Sequence, residues 1–590
     1  MPQSNDQAAA LLDEYADLVA LTGGDPFRAR VYTKAARAIG AHPHDVAGLP
    51  LSALLGIPGV GKSIAAKVVE ITGTGTFAEL EDLRADIPDG VRQLTRIPAL
   101  GPRRALQLYR ELSVSSPDEL RTAIAAGRLN DLRGFGPKSA GKLVRGLDLL
   151  ATTATRVLLN VAAETAAAVI DVVGPVPGCE RIATAGSLRR AAESIGDVDV
   201  LAAAADSTPL MMALRAMPEA AEVIGSGPAK TSIRTVAGLQ VDLRVVPPDC
   251  WGAALQYFTG SQRHNVALRE LAVRSKLKLS EYGLFDVESG ELIVSRTEEE
   301  VYERLGLAWI PPVLREDTGE VAAARRGELP VLVGEADVRG DLHTHTNLTD
   351  GVATLAEMVA AATARGFEYY AITDHAPNLV MQRMTDEKML AQRQQVRELG
   401  RQLAGQSPHR TSMTLLHGTE LNIGPDGSVD WPAEFLAGFD ICVASVHSHF
   451  DMPRREMTRR FIAACENPYV NVIGHPLTRK IGRRPPVDVD LPELFRTCAR
   501  TGTALEVNAH PARLDLPSAH IKVARDAGVK FAIDSDAHSL RDLDYLKYGV
   551  ATAQRGWLTA DDVVNTWPLP RLTEFLGKGS VRTGAGRSGK

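Results

Sequence analysis

Cysteine is scarce in this chain. The five present (Cys179, Cys250, Cys442, Cys465 and Cys498) show no Cys-x-x-Cys spacing and need not pair, so a reducing cytoplasm fits. Long apolar runs are missing as well. Even the stretch 157–170 is broken by Asn160 and Glu164, which leaves no segment able to span a membrane. The opening MPQSNDQAAALLDEY has neither a basic stretch nor an apolar core, and no secretory leader is expected. A global excess of basic charge is also absent. The net charge is −6, which argues weakly against nucleic acid for the chain as a whole. What is present is ordinary globular material, 45% hydrophobic and 23% charged. Its 590 residues are too many for one core, so several domains are expected.

Local charge says more than the total. Residues 91–145 carry eleven Lys or Arg against four Asp or Glu, a plausible phosphate-facing surface. Charge alone is equally compatible with a solvated helical face. The same region repeats a glycine-marked hairpin. Leu55-Gly-Ile-Pro-Gly59-Val-Gly61, Thr95-Arg-Ile-Pro-Ala-Leu-Gly101 and Asp131-Leu-Arg-Gly134-Phe-Gly136 each precede a helical pattern. This is a helix–hairpin–helix signature. Glycine lets the backbone approach a phosphate, and the next helix offers free N–H groups. Such contacts hold DNA without reading its sequence. One hairpin is weak evidence and three at regular spacing are strong. The second copy has Ala99 where a glycine is usual.

Past residue 155 strands mix with helices: Ile182–Ala185, Val198–Leu201 and Leu239–Val246. The polar, proline-broken segment after residue 315 reads as a linker. After 340, short apolar strands (Tyr369–Thr373, Val443–Val446, Val470–Ile473, Ala504–Val507 and Phe531–Ile533) alternate with helices. That alternation predicts a parallel, barrel-like α/β domain with its site at the strand C-termini. The fold class is therefore multidomain, α+β and α/β. The glycine-rich, basic tail 578–590 reads as disordered.

Two groups of residues carry chemistry. In the middle section Gly186-Ser187-Leu-Arg-Arg190 precedes Gly-Asp197-Val-Asp199, and Asp242 lies on a later strand. Three convergent carboxylates can hold two divalent ions for phosphoryl transfer. Gly186 and Ser187 open a helical pattern whose N-terminal amides suit a phosphate, and Arg190 adds a bidentate cation. A lone Asp-x-Asp would ordinarily be a solvated turn; together with the other elements it is a nucleotidyltransferase signature. In the last section lie eleven of the 14 histidines. His343-x-His345, Asp350, Asp374-His375, Glu420, His447, His475 and Asp536-x-His538 form an ordered set. Residues i and i+2 of a strand share a side, so each pair would present two ligands to one ion. Imidazole with carboxylate suits zinc, manganese or iron rather than calcium.

Residues 1 to about 315 resemble the family X DNA polymerases, repair polymerases of the polymerase-beta type. The matching motifs are Gly-Ser-Leu-Arg-Arg, Gly-Asp-Val-Asp, Val-Asp-Leu-Arg, Tyr257-Phe258-Thr-Gly-Ser and the closing segment 305–316. The resemblance implies two Mg2+ on Asp197, Asp199 and Asp242, and a triphosphate on Gly186, Ser187 and Arg190. It places Tyr257 and Phe258 at the sugar, and Asn265 and Arg269 near the nascent pair and template. Lys67 matches a deoxyribose-phosphate lyase lysine and Lys34 a phosphate-binding one. Ser63 stands where the animal enzymes have a supporting lysine. A plain DNA-contact helix is the competing reading for Lys67.

Residues from about 340 resemble the polymerase and histidinol phosphatase (PHP) domain, a seven-stranded metallophosphoesterase barrel. The resemblance implies up to three Mn2+ or Zn2+ held by His343, His345, Asp350, His375, Glu420, His447, His475, Asp536 and His538. Asp374 would orient His375. His449, His510 and Arg513 are further phosphate candidates, and His417 is expected to be structural. The order of domains looks like the bacterial form of the family. The expected divisions are 1–85 (lyase-like), 86–152 (fingers-type hairpins), 153–250 (palm), 251–316 (nascent-pair subdomain), 317–339 (linker) and 340–577 (PHP). The implied activity is gap-filling DNA repair synthesis with a 3′–5′ exonuclease, 3′-end-processing or abasic-site activity. Gapped or nicked DNA and dNTPs are the partners, and a monomeric, cytoplasmic, nucleoid-associated protein is expected. A DNA-binding scaffold with a structural metal site, and a small-molecule phosphatase or nucleotidyltransferase, are the alternatives.

Overall fold

The computed structural model describes residues 3–22, 26–40, 42, 44–95, 97, 100–130, 132–153, 156–379, 384–406 and 413–577. Ala99 and the tail 578–590 lie outside them. Nine helices of the described residues, from Gln3–Leu21 to Pro137–Thr153, share one apolar core that includes Leu12, Phe77, Leu108, Phe135 and Leu147. The hairpin glycines set its turns. Gly59 and Gly134 take positive φ (82° and 89°), and Gly61 and Gly101 are the N-caps of Lys62–Thr74 and Pro102–Leu112.

Strands β1 (Val157–Leu158) and β3 (Ser194–Ile195) pair as a short ribbon beside a five-stranded sheet. That sheet runs in the order β2 (Arg181–Thr184), β4 (Asp197–Ala203), β7 (Gln240–Val246), β6 (Lys230–Thr235), β5 (Ala220–Ser226). Val198 and Val200 are buried, while Asp197 and Asp199 alternate to the other face. Parallel pairing of β4 with β7 sets Asp199 directly opposite Asp242.

Helices Trp251–Thr259 and Gln262–Arg274 follow, with a sheet of β8 (Leu277–Ser280), β9 (Gly283–Asp286) and β10 (Leu292–Val294). The expected linker is partly packed structure. Its helix Glu320–Arg326 sets Ala323 and Ala324 into the apolar core of this subdomain. Glu320 is buried with its carboxylate 2.7 Å from the Nδ1 of His264, and it also accepts from the amides of Asp317 and Thr318.

The last section is a parallel barrel in sequence order: β11 (Gly340–Asp341), β12 (Tyr369–Ile372), β13 (Thr414–Asn422), β14 (Ile441–Ser445), β15 (Val472–Ile473), β16 (Ala504–Asn508) and β17 (Phe531–Asp534). A Thr344–Ala537 bridge and the Leu342 amide on Asp534 bring the two ends together. The barrel is docked, not tethered. Trp557 enters the core that holds Leu277 and Leu279 of β8, Leu514 and Tyr548 enter the palm core, and Val352 packs on the helical core. No described helix is long and apolar enough to cross a membrane.

Candidate metal centres and DNA-contact sites

The palm carboxylates converge as expected. Asp197, Asp199 and Asp242 offer oxygens within 4.8 Å of one another. Burial first, then Asp197 and Asp242, push the Asp199 carboxyl up to about 6. Three acids crowded this way fit divalent cations, which would relieve their mutual repulsion. Lys230 and the Gln240 side-chain Nε2 hold Asp242 in place. Gly186 has φ +58°, and a Cβ there would overlap the Asp199 carboxylate, so the glycine is required by the acid behind it. Gly186–Arg189 is a single helical turn.

Arg190 is not free for a triphosphate in this arrangement. Its Nε donates to Glu316 at 3.0 Å and its guanidinium to the Thr259 carbonyl. Arg555 of the barrel donates to the same Glu316 at 3.0 Å. The neighbouring Arg189 makes a bidentate pair with the buried Glu298, which also takes Arg315 at 2.6 Å. Tyr257 and Phe258 lie edge to face, with the Arg244 guanidinium 4.5 Å above the Phe258 ring. Asn265 is buried and engaged: it donates to the Tyr257 carbonyl at 2.7 Å and accepts from Gln256 at 2.8 Å. It therefore fixes the Tyr-Phe end of its helix. Arg269 donates to the Asn265 carbonyl at 3.3 Å.

In the first domain the Lys34 side chain lies alongside Gly59. Gly136 accepts from the Ala140 amide at the start of the third hairpin helix. Lys67 is buried, ion-paired with Glu79 and set near the rings of Tyr15 and Phe77.

In the barrel the nine expected ligands gather at one end. Three groups have ligand atoms within 4.8 Å: His345, Asp350, His375 and His538; His343, His345 and Asp536; and His375, Glu420 and His447. His475 joins through Glu420, at 3.1 Å. His345 and His375 each belong to two groups, so the three positions are contiguous. Two expectations change. The paired residues sit in loops beyond β11 and β17, not in strands, and Asp536 takes φ +53°. As a result Asp536 and His538 belong to different groups, although His343 and His345 do share one. Asp374 does not orient His375. Its carboxylate accepts from the Thr346 amide and hydroxyl, the Thr349 hydroxyl and Gln392.

The orienting acceptors lie elsewhere, and sequence reading missed them. His343 Nδ1 lies 2.6 Å from Glu506, His447 Nδ1 2.8 Å from Asn422, and His538 Nδ1 2.7 Å from the Asp536 carbonyl. Each ring spends Nδ1 on the protein and leaves Nε2 toward a cluster carboxylate. Buried His345 Nδ1 and Asp350 Oδ1 have no hydrogen-bond partner. Orphaned donor atoms, nitrogen and carboxylate together, and rings already oriented fit a transition-metal cluster. Burial pushes His343 down, but Glu506, Glu420 and Asp536 outweigh it and hold it well above the usual histidine range. Asn508 ties Glu506 to Asp536 at 3.1 and 3.0 Å. Glu506-x-Asn508 at the end of β16 repeats the spacing of the other pairs, and that signal could have revealed it.

His510 and Arg513 line the recess above the cluster, Arg513 with Nε 3.5 Å from Asp536. His449 does not line it: it is exposed, with Nδ1 3.0 Å from the Ser448 hydroxyl. His417 is buried and stacks on Phe439 at 5.2 Å.

Comparison with known proteins agrees with this layout. Family models match as a helix-hairpin-helix domain (residues 3–77), a SAM-like helix-hairpin-helix tandem (91–148), a DNA polymerase beta thumb (254–316) and a PHP domain (341–510). The DNA polymerase/3′-5′ exonuclease PolX of Bacillus subtilis (strain 168) is 32% identical over 569 residues, covering 96% of this chain and 98% of that one. DNA polymerase lambda of Rattus norvegicus is 27% identical over 322 residues, 50% of this chain and 53% of that one. A probable phosphatase of Thermoanaerobacter sp. (strain X514) is 27% identical over 248 residues, 40% of this chain and 93% of that one.

Proposed function

The chain belongs to the bacterial family X DNA polymerases, the PolX type, and from that premise we propose that it is a two-centre repair enzyme that fills short DNA gaps and trims 3′ ends. One observation carries the reading: two separate metal-fitting clusters stand in one chain, behind glycine hairpins suited to DNA phosphates. A scaffold needs neither cluster, and a small-molecule phosphatase needs no hairpins.

In the palm, Asp197, Asp199 and Asp242 would hold two Mg2+, which supply charge neutralisation to the triphosphate and activate the primer hydroxyl. Gly186 and Ser187 cradle the triphosphate of a dNTP. Arg190 joins them by leaving Glu316, whose charge Arg555 is placed to satisfy. Tyr257 and Phe258 wall the sugar, with Asn265 holding their backbone and Arg269 reaching the template. Lys34 and the hairpins at Gly59, Gly61, Gly101, Gly134 and Gly136 contact DNA phosphates. Lys67 serves the lyase step once its pair with Glu79 opens, since only a neutral amine forms a Schiff base.

In the barrel, up to three Mn2+ or Zn2+ on His343, His345, Asp350, His375, Glu420, His447, His475, Asp536 and His538 would supply Lewis acidity for phosphodiester hydrolysis at a 3′ end. Proofreading and removal of blocked ends both use this chemistry. We place the enzyme in the cytoplasm, associated with the nucleoid, as a monomer.

A gapped duplex incubated with Mg2+ or Mn2+ tests the assignment. Wild type should extend the primer when dNTPs are present and shorten it from the 3′ end when they are withheld. Binding without either reaction would favour the scaffold.

A further inference from the structure

We propose that Arg37, on the helix Pro26–Gly40 of the first hairpin domain, belongs to a phosphate subsite of the barrel and passes a DNA strand from the first hairpin to the metal cluster. The inference rests on reading the barrel as a DNA 3′-end phosphodiesterase.

The recess over the cluster is not lined by the barrel alone. Arg37 and Gly40 form part of its wall, together with Lys480, His510, Arg513 and Arg541. Arg37 donates to the Asp350 carbonyl at 3.3 Å, and Asp350 is itself a cluster acid. Val352, two residues on, packs against the helical core, so the contact between domains includes an apolar residue. At about 390 Å³ the recess has the size of a small-ligand pocket, which admits a strand end but not a duplex.

Arg37, Lys480, Arg513 and Arg541 line the recess beside the cluster's acids, with Arg541 paired to Glu164 at 2.9 Å. Enclosure first, then Arg513, Arg484 and Arg37, push the Lys480 ammonium down to about 8. Arg513 keeps Nη1 buried without a hydrogen-bond partner. Like charges held this close repel one another, and a phosphate would relieve them.

The supporting helix has four basic residues and no acid: Arg28, Arg30, Lys34 and Arg37. Lys34 lies against Gly59 of the first hairpin, and Arg37 is one helical turn further on. Their separation along the axis is about 4.5 Å, the order of one nucleotide step. Hairpin, Lys34, Arg37 and cluster therefore lie in sequence along one path for a single strand.

The test compares Arg37→Ala with wild type on a single-stranded oligonucleotide and on bis(p-nitrophenyl) phosphate, which has no neighbouring phosphate. The ratio of kcat/KM for oligonucleotide over ester should fall about tenfold, with partial recovery in Arg37→Lys. In EDTA, anisotropy should show weaker oligonucleotide binding. Primer extension reports that the variant is folded. An unchanged ratio in a wild type that degrades the oligonucleotide overturns this subsite and leaves the 3′-end reading standing. Equal losses on ester, oligonucleotide and extension would mean a merely structural residue and also overturn it. A wild type that cleaves the ester and leaves the oligonucleotide intact defeats the 3′-end reading itself.

Discussion

His343 presents Nδ1 to Glu506 at 2.6 Å, and so its Nε2 faces Glu420 and Asp536. Both residues are fully buried, and water cannot replace the carboxylate. Glu506→Gln keeps the size and removes the charge. Metal titration of the apo-protein should show affinity about 10- to 100-fold weaker, with DNA degradation reduced and primer extension unchanged. Unchanged metal affinity would show that Glu506 does not orient the ring.

Gly186 is dictated by Asp199. In Gly186→Ala the new methyl group meets the carboxylate in a left-handed backbone, at a cost of about 1–3 kcal/mol for the overlap. The acid gives way, and extension should fall at least about 100-fold while degradation persists. Extension at the wild-type rate would mean that Asp199 has room the structure does not show.

Glu298 joins thumb to palm through Arg189 and is also paired with Arg315 of its own subdomain. Burial alone would push its carboxyl up; the two guanidiniums outweigh burial and hold it at about 2, below the usual 4.5. A depressed carboxyl stabilises the fold above pH 4.5 and loses that contribution as pH falls toward 2. The melting difference between wild type and Glu298→Gln should be full at pH 7 and shrink below pH 4.5. A constant difference down to pH 3 would rule out an ionic origin.

Lys67 is held by Glu79. Borohydride trapping on abasic DNA should vanish in Lys67→Ala and rise severalfold in Glu79→Gln, where the amine is released. Unchanged trapping in Lys67→Ala removes this lysine from the lyase assignment.

The acids, glycines and histidines were legible because phosphoryl chemistry restricts residue type wherever a metal or phosphate must sit. Asp199 and Asp242, 43 positions apart, become neighbours through strand pairing that β-patterning foretold. Strands β11 and β15 have two residues each, too short to show a period. Glu506 and Asn422 act on rings, and Asn508 on two carboxylates, that only strand pairing in the barrel brings near. Glu320 read as polar linker because nothing local reveals that His264 buries it. Arg37 reaches the barrel by docking across more than 300 positions, which no local pattern encodes.

The independence of the two centres is tested most directly by Asp242→Ala and His345→Ala on one gapped duplex. Asp242→Ala should lose extension and keep 3′ degradation. His345→Ala should lose degradation and keep extension. Loss of both activities in both variants would contradict the account.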